Sequence, residues 1–125
     1  MTTLVDYKKR VEDLIEKMKE IEVIDDYRYG YWYLGYSYNK KTKYCLAIRS
    51  GNDEEKVYKI RDNTLRSLLN IYDVPDILTV CLAVEDILKI MKEDHIEKMF
   101  IILYEVLERT LYEALYFIEE EQMYG

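Results

Sequence analysis

The sequence predicts an α+β fold in the order α-β-β-β-α-α-α: an N-terminal helix, a three-stranded antiparallel meander and three C-terminal helices. Apolar residues recur at steps of three and four in the segment 4–21 and again after residue 62, as in amphipathic helices. Between these segments they alternate over short stretches separated by turns rich in Asn, Gly and Asp, as in strands. Hydrophobic residues make up 50% of the 125-residue chain, enough for the core of a single domain over residues 1–125.

The first helix is predicted from an apolar stripe that follows two candidate capping residues, Thr2 and Thr3. The stripe consists of Leu4, Tyr7, Val11, Leu14, Ile15, Met18 and Ile21. Charged side chains occupy the opposite face, which is typical of a helix that packs one side against a core.

Alternation in the three strands also predicts how they pair. Directly opposed residues point to the same face of a sheet, so apolar residues are matched with apolar residues. The predicted pairs are Tyr38 with Tyr44, Tyr36 with Leu46, Leu34 with Ile48, Ile48 with Tyr58, and Leu46 with Ile60. The face predicted to cover the core is formed by Trp32, Leu34, Tyr36, Tyr44, Leu46, Ile48, Tyr58 and Ile60.

Three helices are predicted for the rest of the chain. The first covers residues 62–73, and the second, about 75–92, is apolar almost all round and is therefore expected to be central. Asp94 and Glu97 form a capping-box pattern, which predicts that the last helix begins at His95 and continues to about residue 122. Its apolar seam is predicted to contain Ile96, Phe100, Leu103, Leu107, Thr110, Ala114 and Phe117. At roughly 40 Å, this helix would span the domain or project from it.

A projecting last helix predicts an interface, most simply that of a homodimer, with a contact through the first helix as the alternative. The apolar side chains it would expose are Tyr104, Tyr112, Tyr116 and Ile118. Glu119, Glu120 and Glu121 crowd its C-terminal end, where the helix dipole disfavours anions. Either this end frays, or the charge serves to occupy a basic groove on a partner protein. The three tyrosines and three glutamates are the predicted interface residues.

The second face of the sheet is a candidate binding surface for single-stranded nucleic acid or a nucleotide. Tyrosine rings can stack on bases while Lys and Arg contact phosphates. The predicted binding residues are Tyr29, Tyr31, Tyr33, Lys43, Arg49, Lys59 and Arg61. The same pattern also fits a solvated face on which cations lie over the rings, or a face covered by a helix.

No catalytic residue, metal ligand or cofactor is predicted. The only histidine, His95, is expected at a helix start, where a solvated side chain is typical. Glu54 and Lys56 have the E-x-K spacing of some metal-dependent nucleases, which remains an alternative function. Two separated cysteines and one histidine do not make a zinc site. Cys45 and Cys81 are expected to be reduced core residues, with a disulfide between them as the alternative.

Charge and hydropathy narrow the expected partners and location. A net charge of −7 argues against binding to duplex DNA and suits a protein that engages a basic partner. The N-terminal residues do not form a secretory signal, and no apolar run approaches the roughly 20 residues of a membrane span. A cytoplasmic location is therefore expected.

Composition points to a habitat. Gln122 is the only glutamine and Pro75 the only proline, whereas Lys, Glu, Ile and Tyr are abundant. Depleted Gln with enriched Lys and Glu is a tendency of hyperthermophile proteins. In composition the chain resembles small accessory proteins of hyperthermophilic archaeal viruses. The resemblance implies a non-enzymatic factor, of anti-CRISPR or other host-inhibitor type, that binds a host protein in the host cytoplasm; it transfers no functional residue.

Overall fold

The computed structural model describes residues 3–25, 32–37, 45–49, 55–58 and 76–124. Within these ranges the chain forms three helices and five strands. The helices are α1 (Leu4–Lys19), α2 (Ile77–Glu93) and α3 (Ile101–Tyr124). The strands are β1 (Glu22–Ile24), β2 (Tyr33–Ser37), β3 (Cys45–Arg49), β4 (Glu55–Tyr58) and β5 (Lys98–Phe100). The predicted α+β class is confirmed.

The five strands form one mixed sheet in the order β1-β5-β2-β3-β4. β2, β3 and β4 make the predicted antiparallel meander, whereas β5 pairs in parallel with both β1 and β2. The prediction of a purely antiparallel, three-stranded sheet is therefore wrong. β1 and β5 have three residues each, which is too short for alternation to reveal a strand.

The register of β2 on β3 is the predicted one. Leu34 lies opposite Ile48, and Tyr36 lies opposite Leu46. Leu34, Leu46 and Ile48 are fully buried on the face that packs against the helices. Trp32, predicted to cover the core on this face, precedes β2 and is 41% exposed.

β4 pairs with β3 two residues away from the predicted register. Leu46 lies opposite Tyr58, and Ile48 lies opposite Lys56. Because side chains alternate with a period of two along a strand, a shift of two residues does not change the alternation on which the prediction was based. The remaining predicted members of the core face, Tyr44 and Ile60, lie outside the described residues, as does the pairing of Tyr38 with Tyr44.

Helix α1 is capped and buried as its sequence predicts. The Thr3 hydroxyl accepts the Asp6 N–H at 3.3 Å, while the Asp6 carboxylate accepts the Thr3 N–H at 3.1 Å. This reciprocal capping box satisfies donors that the first helical turn leaves unpaired. The buried part of the stripe consists of Val11, Leu14, Ile15 and Met18. Leu4, at the end of the stripe, is exposed.

The last helix begins later than predicted. Asp94 is the C-cap of α2 and does not start the next helix, and His95 follows in the left-handed region with φ 55°. Residues 98–100 then form β5 between β1 and β2, and α3 begins directly after it at Ile101. Pairing with two strands outweighs the local capping pattern here. The predicted helix at 62–73 lies outside the described residues.

Among the described residues, none of the helices combines the length and the apolar character that a membrane span requires.

Candidate functional site

Helix α3 turns one side to the core and the other to solvent. Its buried residues are Leu103, Leu107, Thr110, Leu111, Ala114 and Ile118, on the side that faces α1 and α2. The steps of three and four between them define one side of a helix. Ile118, predicted to be exposed, is fully buried, and Phe117, predicted in the seam, is 48% exposed. After Ala114, the next buried residue lies four positions further on, at Ile118, and not three positions further on, at Phe117.

Six residues on the solvent side of α3 line a shallow depression of about 440 Å³: Arg109, Tyr112, Glu113, Tyr116, Phe117 and Glu120. We call these residues the α3 stripe. Its three aromatic side chains are 46–64% exposed. Steps of three and four place the stripe along about three turns of the helix. Large exposed apolar side chains clustered among polar ones are typical of interaction surfaces.

Two contacts within the stripe join residues four positions apart. The Arg109 Nε lies 4.0 Å from the Glu113 Oε1, and the Tyr116 hydroxyl donates a hydrogen bond to the Glu120 Oε1 at 3.1 Å. This hydrogen bond raises the pKa of the Tyr116 hydroxyl. Both pairs are exposed, so each contributes little to stability. A partner can therefore replace these contacts at small cost.

Helix α3 ends in a second surface, the acidic tip, which consists of residues 119–121, Met123 and Tyr124. All of these side chains are exposed, Met123 by 78% and Tyr124 by 82%. The last turn carries no basic residue, so the partial negative charge of the helix C-terminus adds to that of the three glutamates. The helix continues to Tyr124.

Five of the six predicted interface residues are exposed: Tyr112, Tyr116, Glu119, Glu120 and Glu121. Tyr104 instead lies half-buried in a crevice between α1 and α3, beside Met18 and Leu111. Burial raises the pKa of the Tyr104 hydroxyl. Tyr104 is partly buried because α1 packs against α3, so its burial cannot be predicted from the sequence of α3 alone.

Sequence reasoning missed Arg109, Glu113 and Phe117 as members of this surface. A signal for them was present, because residues 109, 113, 116 and 120 recur at steps of three and four on the side opposite the buried residues. Arg109 and Glu113 carry charges, so a search for exposed apolar residues alone passes over them, whereas the seam pattern places Phe117 on the buried side.

The structure describes two of the predicted nucleic-acid-binding residues, Tyr33 and Arg49. They lie opposite each other in neighbouring strands, on the predicted face away from the core. Arg49 is exposed, but Tyr33 is buried at 5% exposure and its ring packs against Phe100. Tyr33 therefore offers little area for stacking on a base. The others, Tyr29, Tyr31, Lys43, Lys59 and Arg61, lie outside the described residues.

The same face carries a cavity of about 180 Å³, lined by both residues together with Gly35, Ala47 and Phe100. A methyl group in place of the Gly35 hydrogen would lie 3.6 Å from the Phe100 Cβ, an ordinary contact distance. The small residues Gly35 and Ala47 thus leave the space that larger side chains would fill.

Within the described ranges, no three His, Cys, Asp or Glu side chains come together as a metal ion would require. His95 is exposed after α2, and Lys56 forms an ion pair of 3.4 Å with Asp94. Glu54, the carboxylate of the nuclease alternative, lies outside these ranges. Cys81 is a free, fully buried thiol whose pKa is raised to about 11 by burial, so the alternative of a disulfide to Cys45 is wrong.

Comparisons with protein-family models, with curated proteins and with solved structures gave no match. The stripe and the acidic tip of α3 are therefore the features from which a function can be inferred.

Proposed function

We propose that this chain is a non-enzymatic protein-interaction factor whose acidic tip binds in a basic groove of another protein. One observation carries the proposal: a single helix end combines three exposed glutamates with the exposed Met123 and Tyr124. The carboxylates select a cationic partner and steer its approach, while the two apolar side chains provide area to bury on binding. The net charge of −7 acts in the same direction.

The composition of the chain supports a narrower proposal. The protein is a viral accessory factor of anti-CRISPR or other host-inhibitor type, acting in the host cytoplasm on a protein that handles nucleic acid. Proteins of that kind present grooves lined with Lys and Arg to the phosphate backbone. A negatively charged helix end with an aromatic side chain can occupy such a groove in place of nucleic acid. Inhibition by occupancy requires no catalytic residue.

Affinity capture with matched variants tests this proposal. The tip variant carries Glu119→Gln, Glu121→Gln, Met123→Ser and Tyr124→Ser. The control variant carries Glu12→Gln and Asp13→Asn, which remove the same charge from exposed positions on α1. From nuclease-treated archaeal lysate, the parent and the control should retain a common basic protein that the tip variant loses.

A second measurement addresses the inhibition. The captured protein, once purified, should release a labelled oligonucleotide when the parent chain is added, and the tip variant should be at least about tenfold less effective. Retention of the captured protein by the tip variant, or capture by the parent from untreated lysate but not from nuclease-treated lysate, would contradict the proposal. In the second case the two proteins would be joined only by nucleic acid.

Binding of single-stranded nucleic acid or a nucleotide at the second sheet face is a further candidate, favoured by the exposed Arg49 at the 180 Å³ cavity. An arginine beside an aromatic-lined cavity can contact the phosphate of a nucleotide whose base enters the cavity. Titration of a labelled oligothymidine should then show weaker binding by the Arg49→Ala variant. Equal affinity of the variant and the parent would exclude this site.

A further inference from the structure

We propose that the α3 stripe binds the α3 stripe of a second copy of the chain, with the two helices antiparallel. When two copies of the stripe run in opposite directions, the positive end of each lies opposite the negative end of the other. A two-fold axis perpendicular to the helices, at the level between Ala114 and Leu115, sets residue 109 opposite residue 120 of the second copy. The same axis sets Tyr112 opposite Phe117, and Glu113 opposite Tyr116.

Full overlap of the two stripes defines this register, and the overlap brings opposite charges together. In a two-fold contact every pair occurs twice, so the interface contains two Arg109–Glu120 pairs. Moving the axis to Tyr116 would set Glu113 opposite Glu119 and leave Arg109 opposite Met123. A parallel pair of helices would set each charged residue opposite its own copy. Both alternatives place like charges together, which disfavours them.

Each contact within the stripe that is lost on dimerisation is replaced by a contact with the second copy. In the single chain, Arg109 lies near Glu113, and Tyr116 donates to Glu120. In the dimer, Arg109 contacts Glu120 of the second copy, and Tyr116 donates to Glu113 of the second copy. No charged or hydrogen-bonding group loses a partner, while the exposed rings of Tyr112 and Phe117, on the two flanks of the contact, lose part of their exposure to water.

The size of the stripe bounds the strength of this contact. The stripe is about 16 Å long and one helix wide, so it buries less than the roughly 800 Å² per partner of a standard interface. We therefore expect a reversible dimer of micromolar or weaker affinity that weakens further as salt screens the charge pairs. The acidic tip lies beyond this contact and shares only Glu120 with it.

Charge reversal tests the contact. Sedimentation of the full chain over a concentration series should show a monomer–dimer equilibrium at low salt. Arg109→Glu and Glu120→Arg should each raise the dimer dissociation constant by about tenfold or more, because each creates two like-charge pairs. An equimolar mixture of the two variants should recover dimers, since the mixed pair again has opposite charges at both positions.

The control is Lys89→Glu on α2. Lys89 forms an exposed ion pair of 3.9 Å with Glu93 four residues later, as Arg109 does with Glu113, so this change reproduces the charge and local effects away from the stripe. Circular dichroism of each variant checks that α3 still forms. A monomer at all concentrations, reversal variants that dimerise like the parent, or a mixture without recovery would each overturn the proposal. Loss of dimers in the Met123→Ser, Tyr124→Ser variant alone would place self-association at the acidic tip and would also overturn it.

Discussion

Tyr33 of β2 and Phe100 of β5 pack ring against ring, with centroids 6.3 Å apart and ring planes tilted by 43°. Their strands are parallel neighbours, and both side chains are buried, at 5% and 8% exposure. They lie on the opposite face from Leu34 and Met99, which are fully buried in the core. The middle of this mixed sheet is thus buried on both faces, as is usual for strands with parallel neighbours. Tyr33, one of the tyrosines predicted to bind nucleic acid, is therefore a packing residue.

Truncation of this aromatic pair should destabilise the fold. Tyr33→Ala and Phe100→Ala should each lower the free energy of unfolding by about 3 kcal/mol, because each removes a buried ring. A double-mutant cycle measured by urea denaturation should give a coupling of about 1 kcal/mol between the rings. Tyr33→Phe keeps the ring and should retain that coupling. A coupling near zero would show that the two rings are buried independently.

Cys81 should be unreactive in the folded protein. Burial raises the pKa of its thiol to about 11, while nearby Arg10 acts in the opposite direction. A raised folded pKa favours the protonated thiol, so its stabilising effect is complete below the ordinary value of 9.0 and is lost as the pH rises towards 11. Mass spectrometry of the peptide containing Cys81 after iodoacetamide treatment checks this. Little alkylation is expected in native buffer at neutral pH and rapid alkylation in denaturant; equal rates would contradict burial.

The sequence predicts the pairing of β2 with β3 but not that of β3 with β4. In the first pair, apolar matching gives a single answer, Leu34 opposite Ile48. In the second, two registers that differ by two residues put the same side chains on the same faces. Apolar matching chose Tyr58 for Ile48, whereas the sheet sets Lys56 there. Apolar alternation predicts which side chains of a strand share a face. It does not distinguish registers that differ by two residues, which depend on turn geometry.

β5 could not be predicted because its residues fit a helical pattern as well. Phe100 stands three residues before Leu103, as in the seam of a helix, yet it enters the sheet. A three-residue parallel strand forms only where two neighbouring strands provide its hydrogen bonds, which is a tertiary condition. The same limit applies to the exposed side of α3: periodicity correctly predicts that Tyr112 and Tyr116 are exposed, but the burial of Tyr104 depends on the position of α1.

The ion pair between α1 and α2 should contribute measurably to stability. The Arg10 Nε donates to the Glu85 Oε2 at 3.0 Å, and its Nη2 donates to the Glu85 Oε1. The hydrogen bond to Glu85 raises the pKa of Arg10. The two side chains are 35% and 37% exposed, so solvent screening limits the coupling to about 1 kcal/mol.

Double-mutant cycles with Arg10→Met and Glu85→Met measure this coupling, and Arg10→Lys should lose much of it because Lys cannot form both hydrogen bonds. The comparison pair is Lys19 and Glu16, 2.9 Å apart but more exposed, where a coupling near zero is expected. Equal coupling energies in the two cycles would show that the paired hydrogen bonds of Arg10 add nothing.

Asp76 should stabilise the start of α2 in a pH-dependent manner. Its Oδ1 accepts the Thr79 N–H at 3.0 Å, and its Oδ2 accepts the Thr79 hydroxyl at 2.8 Å. These hydrogen bonds, led by that of the Thr79 backbone, hold the pKa of Asp76 below its ordinary value of 3.8. The stabilisation is therefore complete above pH 3.8 and is lost as the pH falls through the folded pKa.

At neutral pH, Asp76→Ala should lower the free energy of unfolding by about 1 kcal/mol, while Asp76→Asn keeps a neutral cap and should cost less. Urea denaturation of the parent and of Asp76→Asn over a pH series isolates the charge. Their difference should shrink as the pH falls below 3.8, because the parent carboxylate then becomes protonated. Asp6, whose pKa is also lowered by its hydrogen bonds to Thr3, titrates in both proteins and cancels in the difference. A difference that stays constant over the series would mean that the Asp76 carboxylate does not stabilise the helix through its charge.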